Sequence, residues 1–205
     1  AAERRGTRSP TALMYALAAG LALYLPCLQL DLVGDDFSFL RNALIHPLLG
    51  WLGTTGGLPY YRPLSRQVWA EVMLATAGSH GSAYHALNLA LLLAGTLLLA
   101  LTCSRLGHRR AAPYVVLAVL AQHSCTVLVG WASCAQDLLA FVGIAAAIWL
   151  TSIERRGLAI LAVCVAFTSK ESGCIAAFLC LAVEWTRTRD VGASLRRTLP
   201  ALLVT

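Results

Sequence analysis

The chain has 205 residues, of which 58% are hydrophobic and 13% are charged, and its mean hydropathy is +0.69. Soluble domains carry about 25% charged residues, so this composition excludes a soluble globular protein and indicates an integral membrane protein. The net charge of +6 comes from basic residues scattered over short segments. This excludes a nucleic-acid-binding protein, whose basic residues gather on one face.

The apolar runs are continuous rather than alternating, which favours membrane-spanning helices that satisfy their own backbone groups in lipid. We therefore predict an all-α polytopic membrane protein. The predicted elements are spans at about 11–32, 83–102, 111–130 and 137–152, a short hairpin at 158–184 and the start of a further span near 198. Residues 1–205 are expected to form the N-terminal part of one transmembrane domain, with no soluble domain.

Arginines flank these runs at alternate ends, and the positive-inside rule places such short basic segments in the cytoplasm. Twelve of the 16 Lys and Arg residues follow this pattern: Arg4, Arg5, Arg8, Arg105, Arg109, Arg110, Arg155, Arg156, Arg187, Arg189, Arg196 and Arg197. The pattern predicts a cytoplasmic N-terminus. The strong preference for Arg over Lys suggests a bacterium, so the predicted location is a bacterial inner membrane.

The predicted extracytoplasmic face receives six of the ten carboxylates and the only lysine of the chain. These residues are Asp31, Asp35, Asp36, Glu71, Asp137, Glu171 and Lys170. The first outer loop, from about 31 to 82, is too long for a simple connector. Two short amphipathic helices on the membrane surface are predicted there, at about 37–45 and 63–74.

Asp35 and Asp36 follow the first span directly, and carboxylates beside a bilayer are costly. They are the candidate catalytic residues. One of them could deprotonate an acceptor hydroxyl, or the pair could hold a divalent cation, the one cofactor that the pattern suggests. The alternative is a helix N-cap, which would explain one of the two, most simply Asp36.

Arg62 stands before a proline that can open a helix, and its planar guanidinium suits a lipid phosphate. A snorkelling arginine beside the interfacial aromatic residues Tyr60 and Tyr61 is an equal alternative. His85 and Asn88 share one helix face, where they could bind a ligand or, more simply, hydrogen-bond across helices as packing residues.

Lys170 and Glu171 break the short hairpin at its outer tip, where the lysine could contact an anion or the two could neutralise each other. Asp137 begins the fourth span, which is also a common place for a helix-start carboxylate. None of the seven cysteines forms a CxxC pair, and most lie inside apolar runs as small hydrophobic residues. Only Cys125 and Cys134 could meet in a disulfide, which is the less favoured alternative.

In this order the motifs resemble the membrane half of the GT-C glycosyltransferases. The nearest group is the protein O-mannosyltransferases of the transmembrane-and-TPR type, with their bacterial relatives. The motifs are Asp35-Asp36, Tyr61-Arg62-Pro63-Leu64, His85-x-x-Asn88, Asp137-Leu138-Leu139 and Ser169-Lys170-Glu171-x-Gly173. The resemblance extends from about residue 21 to residue 184. Relatives often carry His-Thr-Glu and Gly-Arg between the third and fourth spans, where this chain has Cys125-Thr126-Val127 and Cys134-Ala135.

The resemblance implies a GT-C-like helix bundle with two juxtamembrane helices in the first outer loop. It also implies that a sugar is transferred from a polyprenyl-phosphate donor in the membrane lipid to a protein or envelope-glycan acceptor on the extracytoplasmic face. Asp35 or Asp36 would then be the base or would hold a metal, and Arg62 would lie near the lipid phosphate. Tyr61, His85, Asn88, Asp137, Lys170 and Glu171 complete the expected substrate-binding residues.

Two other functions stay open. A transporter would place charged residues near the middle of several spans, to line a pathway. A non-catalytic membrane scaffold with a GT-C-like shape would tolerate the loss of Asp35 and Asp36.

Overall fold

A computed structural model describes residues 10–45 and 62–205, and every regular element in these two ranges is helical. The α-helices are α1 (Pro10–Tyr24), α2 (Asp35–Ile45), α3 (Trp69–Ala77), α4 (Gly81–Arg105), α5 (Ala112–Leu120), α6 (Ser124–Gly130), α7 (Ala135–Ser152), α8 (Arg156–Ser169), α9 (Ile175–Thr188) and α10 (Val191–Leu202). Short 3-10 turns occupy Leu25–Gln29, Ala132–Cys134 and Glu171–Cys174, and a π-helical turn occupies Leu64–Val68.

The prediction of an all-α fold with apolar spans is confirmed in these ranges. Three helices are long and apolar enough to cross a membrane: Thr11–Gln29, Gly81–Arg105 and Ala132–Ser152. α5 and α6 would count as a fourth if the bent pair is one span. α8 is apolar but shorter than a full span. Between the first two spans lie α2 and α3, where two short helices were predicted.

The segment of the predicted span at 111–130 is helical but is not one continuous helix. It divides into α5 and α6, whose axes differ by 71°. Polar residues interrupt the apolar run at Gln122 and His123, and the Gln122 side chain turns back to donate to the Ala118 carbonyl. α6 then packs against α4 instead of continuing along α5.

The segment near 198, where a further span was predicted to start, belongs to α10, which begins earlier. The Asp190 carboxylate accepts from the backbone N–H of Ala193 at 3.1 Å and so caps its first turn. Arg196 and Arg197 in the middle of this helix give it a charged side. α10 is therefore an amphipathic helix packed on α8 and α9.

α7 is the centre of the bundle, with α4 on one side and α8 on the other. Small residues allow these close approaches, as is common between membrane helices. A Cβ on Gly143 would lie 2.8 Å from the backbone nitrogen of Ala166, so α7 and α8 touch backbone to backbone there. The absence of a side chain at Gly95 of α4 likewise leaves room for the ring of Phe141 of α7.

The polar residues of the bundle collect at its two ends. The 25 residues of α4 span about 37 Å, so Gly81 and Arg105 lie at opposite ends. α7 runs parallel to α4, because Trp149 near its C-terminus lies beside Arg105 at the C-terminus of α4. The "motif end" carries Asp36, Arg62, Asp137, Lys170 and Glu171, and the "arginine end" carries Arg105, Arg109, Arg156, Arg187 and Arg197.

Candidate functional site

Arg62 lies at the centre of a polar cluster at the motif end. Its Nε donates to both carboxylate oxygens of Glu171, at 2.8 and 3.0 Å, and one terminal nitrogen donates to the same carboxylate at 2.6 Å. The other terminal nitrogen donates to the amide oxygen of Gln136 at 2.7 Å. This fork geometry is the one that guanidinium groups use for carboxylates and phosphates. The cluster therefore joins residues that are 109 positions apart in the chain.

Lys170 and Asp137 form a second ion pair beside the first, through the lysine Nζ and one aspartate oxygen. The two pairs are adjacent because Asp137 follows Gln136 on α7 and Lys170 precedes Glu171 at the hairpin tip. Four of the predicted substrate-binding residues are thus brought together: Arg62, Asp137, Lys170 and Glu171. Their formal charges cancel.

The two partners of the Arg62–Glu171 pair differ in exposure. The side chain of Arg62 is only 9% exposed, whereas that of Glu171 is 48% exposed. The hydrogen bonds from Arg62 hold the pKa of Glu171 below its ordinary value of 4.5, and burial opposes this only in part. The arginine is therefore fixed inside the cluster, while the carboxylate is the member that an incoming ligand could displace.

Two close contacts to backbone carbonyls fix the position of the hairpin tip. The Ser65 hydroxyl donates to the carbonyl of Ser169 at 2.6 Å, and both residues are buried. At Gly173 a Cβ would lie 2.2 Å from the carbonyl oxygen of Ala166, which only glycine tolerates. Ser65 and Gln136 were not among the predicted site residues, since a serine in a helix start and a lone glutamine carry no specific sequence signal.

Asp36 is buried, 2% exposed, and its carboxylate is fully engaged with backbone N–H groups. One oxygen accepts from Val33 at 3.0 Å and the other from Ser133 at 2.7 Å. Asp36 is therefore neither a free base nor a simple cap of α2, because it ties the start of α2 to the turn before α7. The cavity beside it, about 30 Å³, has room for one or two water molecules but not for a sugar.

Asp35 is exposed, and its carboxylate has no hydrogen bond or ion pair with any residue in the described ranges. The structure thus separates two residues that the sequence treats as one motif. Each Asp36 oxygen accepts one backbone hydrogen bond, whereas Asp35 makes none with the described residues. Within the described ranges, no group of three or more His, Cys, Asp or Glu residues could hold a metal ion.

His85 and Asn88 are fully buried on α4 and hold the end of α6. The His85 Nδ1 hydrogen-bonds to the Val129 carbonyl at 2.9 Å, and the Asn88 amide donates to the carbonyls of Leu128 and Trp131 at 3.0 Å. These contacts correspond to the packing alternative. They also explain why α6 lies along α4 after the bend.

Two other predictions concern residues away from this cluster. Tyr61 lies outside the described residues. Cys125 and Cys134 are both free thiols, and Cys125 instead donates to the Val119 carbonyl. The disulfide alternative is thus not formed in this structure.

Compared with known proteins, the chain matches no family model, no curated protein and no solved structure.

Proposed function

We propose that this chain is the membrane part of a GT-C-type glycosyltransferase that uses a polyprenyl-phosphate sugar as donor and works on the extracytoplasmic face. The observation that carries the proposal is the gathering of Arg62, Gln136, Asp137, Lys170 and Glu171 at one end of an apolar bundle. These residues come from separate motifs, and four of them were selected on sequence grounds for contact with one substrate.

The chemistry needs a cationic pocket for the departing phosphate and a base for the acceptor. Arg62 and Lys170 supply the cations, exchanging their carboxylate partners for the donor phosphate. Asp35 takes the proton of the acceptor hydroxyl. The hydroxyl oxygen then bonds to the anomeric carbon, the bond from that carbon to the phosphate oxygen breaks, and the polyprenyl phosphate leaves with both electrons.

Asp36 has a positioning role in this proposal. Its two backbone hydrogen bonds hold the first turn of α2, which carries Asp35, against the turn at Ala132–Cys134. α2 also packs on α3 and on the π-helical turn that follows Arg62. The helix that carries the base is therefore in direct contact with the turn that follows Arg62.

The position of the charged residues favours this function over a transporter. In α1, α4, α7 and α8 the charged side chains lie in the first or last turn, and none lies at mid-helix. A pathway for ions or solutes would need polar groups along its length. The membrane-scaffold alternative is favoured by a different observation, the mutual neutralisation of the four charged residues in the cluster.

The test is sugar transfer by the full chain in lipid nanodiscs, with a radiolabelled polyprenyl-phosphate sugar and a cell-envelope acceptor fraction. Asp35→Asn removes the base and is expected to slow transfer about a hundredfold or more. Asp31→Asn is the matched control, since Asp31 is an exposed carboxylate just outside α2. Arg62→Gln is expected to weaken transfer through donor binding.

Unchanged transfer in Asp35→Asn would remove that residue from the mechanism. Equal losses in Asp35→Asn and Asp31→Asn would point to surface charge rather than base catalysis. No transfer by the native chain with any polyprenyl-phosphate donor would leave the scaffold as the better function.

A further inference from the structure

Two adjoining cavities open at the arginine end, opposite the proposed catalytic cluster. The larger, about 500 Å³, is lined by Arg105, Leu106, Gly107, His108, Ser152, Thr186, Arg187 and Arg189. The smaller, about 320 Å³, is lined by Leu101, Ser104, Arg105, Arg109 and Trp149. Arg105 lines both, and the two adjoining cavities between the ends of α4, α7 and α9 are together called the recess.

The charged residues lining this recess are all basic. Arg187 is held in place, because it pairs with Glu154 and donates to the Thr151 carbonyl at 3.3 Å. The guanidinium groups of Arg105, Arg109 and Arg189 make no hydrogen bond or ion pair with other residues in the described ranges. Positive charge in the recess thus exceeds what nearby carboxylates compensate.

Helix ends alone do not account for this excess. α4 and α9 end here, and the partial negative charge of a helix C-terminus is favourably matched by one cation in its last turn. Arg105 and Arg187 hold those positions. Arg109 and Arg189 lie beyond the helix ends and add charge that the helices do not require.

The recess lies where a membrane surface would be. Arg105 and Ser152 are the last residues of two helices that are long and apolar enough to cross a bilayer. The basic cavity is therefore at the level of lipid headgroups. The smaller cavity extends from there along Leu101 and Trp149 toward the apolar part of the bundle, which suits an acyl chain better than a water-soluble anion.

The geometry points to a binding site for an anionic glycerophospholipid in this recess, with its phosphate held by Arg105 and Arg189 and an acyl chain beside Leu101 and Trp149. Ser152 and Thr186 border the same cavity. This inference is independent of the glycosyltransferase proposal, because it uses other residues at the other end of the bundle.

The experiment uses the full chain released from micelles that contain equal amounts of dioleoyl phosphatidylglycerol and dioleoyl phosphatidylcholine, with bound lipids counted by native mass spectrometry. The native chain is expected to retain phosphatidylglycerol in preference. R105Q/R189Q is expected to weaken its retention about tenfold or more. R110Q/R196Q loses the same net charge from exposed arginines outside the recess and is expected to retain the lipid.

Three results would overturn the inference. The first is equal retention of the two lipids, and the second is equal loss in the two double variants, which would indicate non-specific attraction to surface charge. The third is displacement of phosphatidylglycerol by excess inorganic phosphate, which would identify a free anion as the ligand.

A second measurement does not depend on the folding of the double variants. Trp149 lines the smaller cavity, so phosphatidylglycerol with brominated acyl chains should quench its fluorescence in the native chain. The same lipid should quench more strongly than brominated phosphatidylcholine. Trp149→Phe is expected to reduce the difference between the two lipids, and a difference of unchanged size in this variant would contradict the proposed site.

Discussion

Each end of the bundle has an ion pair in which one partner is buried, and the buried partners have opposite sign. At the arginine end the buried group is the carboxylate of Glu184, whose side chain is 1% exposed. It accepts from Arg156 at 3.1 Å and from Arg197 at 3.3 Å, and these two side chains are 41% and 45% exposed. One anion thus joins α8, α9 and α10 through two cations that reach solvent.

In the Arg62–Glu171 pair at the motif end the buried partner is the cation. Arg62 is held inside, and its partner Glu171 faces outward. Replacing an exposed carboxylate by another anion leaves the buried arginine satisfied, whereas no ligand can replace the buried Glu184 carboxylate without separating three helices. An ion pair by itself therefore does not identify an anion site. A pair whose carboxylate is exposed is a candidate anion site, and a pair whose carboxylate is buried is a structural contact.

Glu184→Ala should give the largest effect on stability. Removing the buried carboxylate breaks the contacts that join three helices and leaves a cavity, and truncation of a buried side chain of this size costs about 3 kcal/mol or more. The loss is measured by thermal unfolding in nanodiscs. Glu154→Ala at the same end is the control, because Glu154 is exposed and pairs with one arginine. Equal destabilisation of the two variants would show that burial does not distinguish these pairs.

Gly173→Ala should disturb the motif end next most strongly. The new methyl group would lie 2.2 Å from the Ala166 carbonyl oxygen and 2.7 Å from the backbone nitrogen of Phe167. Because backbone atoms cannot rotate away, the hairpin tip must shift, at a cost of up to about 3 kcal/mol. Gly157→Ala in α8 is the control, since no atom lies within 4 Å of its added methyl group. Unfolding temperatures that fall equally in both variants would argue against the close contact.

Asp36→Asn should lower the free energy of unfolding by about 2 kcal/mol, because an amide can accept only one of the two backbone hydrogen bonds. Asp35→Asn should leave stability unchanged while removing activity under the proposed function. Denaturation of the two variants in the same lipid, read beside their transfer rates, checks this division. Reversed effects would mean that the two carboxylates have exchanged roles.

Much of the architecture was predictable from the sequence because few backbone conformations can span a lipid bilayer. Continuous apolar runs in a bilayer can satisfy their backbones as helices, so α1, α4 and α7 were expected near their observed positions. The 71° bend between α5 and α6 was not expected, because the run looked continuous and the bend depends on contacts made elsewhere. His85 and Asn88 supply those contacts from α4.

The candidate site was predictable as a set of residues but not as a set of pairs. Charges placed at span ends on one face put Arg62, Asp137, Lys170 and Glu171 among the nine candidate residues. Which cation meets which carboxylate depends on how α7 and the hairpin tip pack, and the sequence contains no local signal for that. Asp36 shows the same limit, because its partner Ser133 lies 97 positions away.

The smallest predicted effect is a pH dependence from Glu171. Because Arg62 lowers the pKa of this carboxyl below 4.5 in the folded chain, the ionised form stabilises the fold. That contribution is complete above the pKa of the unfolded state and is lost as the pH falls through the lower folded value. The unfolding temperature should therefore fall more steeply with decreasing pH in the native chain than in Glu171→Gln. Arg62→Gln should make the unfolding temperature less dependent on pH in the same acid range. The double variant should have the same pH dependence as either single variant. A native slope retained in Glu171→Gln would assign the acid sensitivity to another carboxylate and would remove the reason to regard Glu171 as the exchangeable partner of Arg62.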